Sequence, residues 1–192
     1  MKAIIDKRFF EVLQIFGACC LDYCLMTDDQ PYQGVDSHRR AVQFALEKCS
    51  EKMAEPWVSD ISKARATEMD VAELLYYPDY PWKLKTNGTV CFDAPNVDGK
   101  IPYWYAFVEP PCGSEPVVKD DKIVRDEYGQ EDFEAVNGAL FPNGVRQLTV
   151  YDWTTDWSDY FDAGHEWWGT GCWSIYDPSM QRYVVIMASS TD

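Results

Sequence analysis

Asp162-Ala163-Gly164-His165-Glu166 sets an imidazole beside a carboxylate, a pair that can hold zinc or move a proton. His165-Glu166 also supplies the first two residues of the H-E-x-x-H zinc motif, but Gly169 stands where its second histidine is required. The other histidine, His38, lies far away in the chain, so the sequence predicts no metal site and no cofactor. Cys112, in Pro110-Pro111-Cys112-Gly113-Ser114, precedes His165 as a thiol nucleophile precedes its base in some cysteine proteases. A reactive thiolate gains from a helix N-terminus or a cationic neighbour, and Gly113-Ser114-Glu115-Pro116 offers no helix start. A hydrolase or transferase using Cys112 or His165 with a nearby carboxylate such as Glu166 is therefore the alternative reading. Carboxylate pairs could serve glycoside chemistry, but six candidates crowd Asp152 to Asp177 and only their separation in space selects two. There is no Gly-rich phosphate loop, no G-x-S-x-G elbow and no basic stripe for nucleic acid.

What stands out is the joint pattern of acid and aromatic. Between Gln147 and Asp192 seven carboxylates face Arg182 as the one Lys or Arg, interleaved with five tryptophans. Trp and Tyr concentrate at binding hot spots, and complementary charge speeds docking. Asp152, Asp156, Trp157, Asp159, Tyr160, Asp162, Glu166, Trp167 and Trp168 are accordingly the expected contact residues for a basic protein partner. The same residues could instead serve as core rings and turn caps.

The chain has 192 residues, enough for one domain with a sizeable core, with 46% hydrophobic and 15% aromatic content. A net charge of −15 disfavours direct nucleic-acid binding and anionic membranes and favours basic partners. Seven cysteines without C-x-x-C spacing read as reduced thiols of a cytoplasmic protein. Val12 to Leu21 is an uncharged run, and Gly17-Ala18-Cys19 is similar to a lipoprotein cleavage site. Asp6 and Glu11 argue against an export signal, and the run is short of the roughly 20 residues of a membrane span.

The elements that must position these residues follow from periodicity. Asp6 to Met26 reads as a helix, a second starts at Asp36 or Ser37 and closes at Pro56, and Ser59 to Tyr77 reads as helical in two pieces. Short strands are expected at 89–93 and 122–125, a central aromatic strand at 102–109, and a helix at 131–140. Three strands follow, at 147–155, 171–176 and 183–188, the last two forming a hairpin through Asp177-Pro178-Ser179-Met180-Gln181. The expected fold is a single α+β domain over 1–192, with N-terminal helices (about 1–80) packed on one face of a mainly antiparallel sheet formed by the C-terminal half (about 86–192).

WSDYFDAGHEWWGT at 157–170, with CWSIYD at 172–177 and PYWYAFVEPP at 102–111, resembles a group of small, acidic, uncharacterised bacterial proteins over roughly the C-terminal half. That resemblance implies no activity and carries no site residue. In general character, a small acidic α+β chain without a catalytic motif resembles the immunity proteins that neutralise bacterial toxins. The function expected is non-enzymatic binding, an immunity or inhibitor protein that blocks a basic toxin, nuclease or other effector.

Overall fold

The computed structural model describes residues 1–17, 19–51, 53–78, 84–86, 89–91, 99–110, 117–119, 122–125, 127–166 and 168–189. Six strands form one sheet: β1 (Lys2–Ala3), β2 (Leu21–Thr27), β3 (Ala66–Met69), β8 (Thr149–Trp153), β9 (Gly171–Asp177) and β10 (Arg182–Ala188). Their order is β1-β2-β10-β9-β8-β3, with every neighbouring pair antiparallel. Two further hairpins stand apart, β4 (Leu84–Thr86) with β5 (Thr89–Cys91) and β6 (Val117–Lys119) with β7 (Lys122–Arg125). The α+β class and the antiparallel sheet agree with the sequence, but the sheet is not confined to the C-terminal half: β1, β2 and β3 come from the region expected to be helical, and helices lie within 103–140.

Alternation along β10 explains the layering. Val184, Ile186 and Ala188 enter one apolar cluster, Tyr183, Val185 and Met187 the other, so both faces of the sheet are buried. On the first face lie α1 (Lys7–Leu13), α4 (Tyr103–Val108) and α5 (Gln130–Leu140), contributing Phe9, Tyr103, Phe107, Phe133 and Leu140. On the second lies α2 (Val35–Ser50), through Ala41, Val42, Ala45 and Leu46. The helices thus cover two faces, where the sequence suggested one.

Three segments differ from their expected state. The helix expected through Met26 stops at Leu13, and Leu21 to Thr27 is β2, inserted beside β10. Leu21, Tyr23 and Leu25 pack to one side and Cys24 and Met26 to the other, with Asp22 exposed, a two-residue period masked by apolar residues that also fall at helical spacing. Between Ser59 and Tyr77 the chain forms edge strand β3 and one helical turn, α3 (Val71–Leu74), in which the Asp70 carboxylate accepts from the Ala72 N–H at 2.7 Å. Conversely 103–108, expected as a strand, is helix α4 with all six residues buried, so no polar face marks its period.

The starts of α1 and α5 follow sequence signals, whereas α2 begins at Val35 behind Gly34 without a side-chain cap and ends at Ser50, short of Pro56. Asp6 caps α1, accepting from the Phe9 N–H at 3.2 Å, and the Asp132 carboxylate reaches back to the Gly129 N–H at 2.9 Å to open α5. At the other end of α5 the buried Arg182 guanidinium donates to the Leu140 carbonyl and, at 2.8 Å, to Asp6. One cation therefore ties β10 to the start of α1 and the end of α5. Among the described residues no helix is long and apolar enough to cross a membrane.

Candidate functional site

The segment between β8 and β9 carries most of the predicted site, and its tryptophans explain its shape. Trp153 is fully buried; its indole N–H donates to the Ser174 hydroxyl at 2.8 Å, and the Arg39 guanidinium lies 5.2 Å from its ring centre. Trp157 turns inward, donating to the Thr154 carbonyl at 2.6 Å and meeting Phe161 edge-on at 5.5 Å. Ser158 caps a 3₁₀ turn at Asp159–Phe161 that runs into α6 (Asp162–Glu166). Backbone bonds from Asp60 to Trp157 and from Asp159 to Val58 pin this cap to the 58–60 loop. Tyr160 packs on Phe161 and Trp57 and donates to Asp22 at 2.7 Å; Trp168 donates to the Glu109 carbonyl at 2.9 Å.

The structure therefore divides the expected contact set. Trp157, Tyr160 and Trp168 are core anchors, each less than 9% exposed, and offer a partner almost no ring surface. Asp156, Asp162 and Glu166 are exposed on the cap. Asp156 lies 3.8 Å from Arg65 at the surface; its carboxyl is held below the usual range by a hydrogen bond from Thr154, against a small effect of burial, with Arg65 and His165 adding charge. Asp162 and Glu166 make no side-chain hydrogen bond or ion pair with the described residues. Asp152 is turned inward onto Lys100, and Asp159 is half-buried with its Oδ1 unpartnered among the described residues. Cys112 and Trp167 lie outside the described residues.

His165 is held as a structural donor. The Thr170 hydroxyl donates to the Gly99 carbonyl at 3.1 Å, so at 2.7 Å it must accept from Thr155; Thr155 in turn accepts from His165 Nε2 at 3.3 Å. The chain of donors ends in a carbonyl, and Nε2 carries a proton instead of being available to take one. Thr155 and Thr170 are buried. No oxygen that Nε2 contacts is thus a reachable nucleophile. Glu166 makes no hydrogen bond or ion pair with the ring.

The close packing continues at Gly164, where a Cβ would stand 2.4 Å from the Gly169 carbonyl oxygen and 2.7 Å from Thr170. Gly164→Ala is expected to lower stability by about 1–3 kcal/mol, the usual range for overpacking. Urea denaturation checks it; a change within experimental error would mean that the 164–170 loop yields easily.

Sequence reasoning missed a second constellation. His38 on α2 is fully buried, with Nδ1 2.8 Å from the Ser174 hydroxyl and Nε2 3.2 Å from the Tyr32 hydroxyl. The Ser174 hydroxyl thus joins His38 Nδ1 to the Trp153 indole N–H, while Nε2 faces Tyr32. Tyr151 at 4.7 Å and Tyr183 at 5.7 Å complete the aromatic surround. The serine–histidine pair has the outline of a catalytic dyad, but Ser174 has no exposure and no substrate reaches it. The outward signal was the shared face of Ser174 and Cys172 on β9, which points them at α2.

Burial holds the His38 imidazolium down to about 4, with the Ser174 contact opposing in part. A group depressed in this way gives full stability above its unfolded value of 6.5 and loses it as pH falls toward 4. The expected loss over that window is about 3 kcal/mol. Urea titrations at neutral pH and near pH 4 measure it; His38→Phe should flatten the slope, and an unchanged slope would assign the acid sensitivity elsewhere.

Other reactive groups are quiet. Burial pushes the Cys172 thiol well above its ordinary value and the Cys19 thiol to about 12. Among the described residues no group of three or more His, Cys, Asp or Glu side chains could hold a metal ion. No family model matches this chain, and comparison with curated proteins and with solved structures likewise gives no match.

Proposed function

We propose that this protein acts by binding, as an immunity or inhibitor protein that blocks a basic toxin, nuclease or other effector. The observation that carries the reading is the cap at 156–166. Asp162 and Glu166 face outward on α6 and Asp156 on the turn that precedes it, and the inward side of this segment is locked by Trp157, Tyr160 and Phe161. Carboxylates on a scaffold that is already ordered bind with little further loss of conformational freedom, and a net charge of −15 draws in a basic surface over a distance. The rings contribute by holding the cap in shape and not by touching the partner.

The test is capture of partners from the source lysate at low and high salt, followed by kinetics with charge-reversed protein. Changing Asp156, Asp162 and Glu166 together to Lys is expected to slow association about tenfold or more at low salt. The melting temperature should change little, because all three are exposed. Unchanged association by the folded triple variant would remove this surface from the contact.

A further inference from the structure

The outer edge of β2 is only partly covered. β1 pairs with Thr27 and Met26, and the Ile4 N–H reaches the Leu25 carbonyl at 2.9 Å, but the chain then leaves the sheet and Asp6 opens α1. Main-chain groups two residues apart on a strand project to the same side, so the N–H and C=O of Tyr23 project from this edge as those of Leu25 do. On that side they make no hydrogen bond with the described residues. The open stretch is one residue pair long, because Leu21 gives its N–H to the Cys19 sulfur.

Beside this edge a cavity of about 470 Å³ lies between β2 and the end of α2. Side chains alternate along β2, so Asp22 and Cys24 line the cavity with theirs, while Tyr23 sends its ring to the opposite face, against Phe9 and Tyr103, and lines it with main chain. Ile5, 82% exposed, Met53, 47% exposed, and the half-buried Trp57 form an apolar rim. Asp22 is exposed, and the Tyr160 hydroxyl, donating to its Oδ2 at 2.7 Å, fixes its direction. Lys48 and Glu51 in the wall pair with each other, so the Asp22 charge meets no cation among the described residues.

We propose that this edge and cavity bind an extended segment of a basic protein partner. One residue of the segment adds to the sheet opposite Tyr23, exchanging both N–H···O bonds, and the lysine after it enters the cavity. The added strand continues the direction of β1, antiparallel to β2, which places that lysine opposite Asp22. Its aliphatic stem lies along Ile5, Met53 and Trp57, and its ammonium meets the carboxylate. Charge selects the occupant: a second copy of this chain would set −15 against −15, and an acidic segment would face Asp22 without compensation. The inference rests on the reading of a basic partner, and since Tyr160 belongs to the cap and also lines the cavity, the two surfaces adjoin.

The probe is acetyl-Thr-Val-Lys-Val-Thr-amide, titrated at millimolar concentration into the full chain. Binding should shift the Tyr23 amide saturably and slow its hydrogen exchange. Methylating the nitrogen of the valine before the lysine removes the donor to the Tyr23 carbonyl, and norleucine in place of lysine removes the charge but keeps the stem. Each change should weaken binding about tenfold or more. Asp22→Asn keeps an acceptor for Tyr160; in this variant, with a melting curve confirming that it is folded, the lysine and norleucine peptides should bind equally. Absence of a saturable shift, equal binding of the N-methylated peptide, or a retained preference for lysine in Asp22→Asn would each overturn the proposal. Tyr23 protection that grows with protein concentration in the absence of peptide would give the edge to a second copy and overturn it as well. The peptide needs no natural partner, so its failure and unchanged association by the charge-reversed cap are read separately.

Discussion

Arg182→Ala is expected to destabilise the protein by about 3–5 kcal/mol, the usual result of breaking a buried ion pair from one side. For a chain of this length that is a drop of roughly 10 °C in melting temperature. The substitution leaves Asp6 facing a hole, uncaps the Leu140 carbonyl at the end of α5 and loosens α1 from β10 together. Asp6 adds a signature in pH. Burial alone would raise its carboxyl, but hydrogen bonds from Arg182 and the Phe9 N–H and the Arg182 charge outweigh this and hold it below 3.8. Its contribution is therefore complete above the unfolded value and lost as pH falls through the folded one, and Arg182→Ala should remove that acid limb. Asp6→Leu combined with Arg182→Met should recover part of the loss, since well-packed apolar residues often replace a buried pair at little cost. Urea denaturation decides; a loss below about 1 kcal/mol for Arg182→Ala would show that α1 and α5 are held by apolar packing alone.

Trp153→Ala should be as severe, about 3–5 kcal/mol, because it opens a cavity at a site with no exposure and little room to collapse. Three partners lose by it at once: Ser174 loses its donor, Arg39 the ring it lies over, and His38 the order of its hydrogen-bond chain. Trp153→Phe separates the effects. It keeps most of the apolar volume and removes the indole N–H, so it should cost about 1–2 kcal/mol. Equal losses for the two variants, read from urea curves, would show that the hydrogen bond, not the packing, carries the residue's weight.

These residues mark how far the sequence could be read. Strands β8, β9 and β10 were legible because polar and turn residues bracket each run, and α2 and α5 because their apolar positions recur at helical spacing. The 103–108 segment was not, since burial on all sides erases the polar face that marks its period; nor was 21–27, where Cys19, Cys20 and Tyr23 continue the helical spacing of Phe9, Val12 and Phe16. Within the site the outward carboxylates Asp156, Asp162 and Glu166 were found from composition. That Trp157, Tyr160 and Trp168 face inward depends on partners such as Trp57 and Glu109, which only the folded chain brings near. Ser174 and His38 stand 136 positions apart, and nothing local in the sequence announces their contact.

The pairing of β2 with β10 has a consequence in time. Leu21 meets Ala188 and Met26 meets Tyr183, so the sheet cannot close until the last strand has been made. At typical rates of about 5–20 residues per second, β2 waits on the order of ten seconds after it leaves the ribosome for its neighbour in the sheet. The edge of β2 that pairs with β10 stays open over that interval, and the chain is most exposed to misassociation while it is being made.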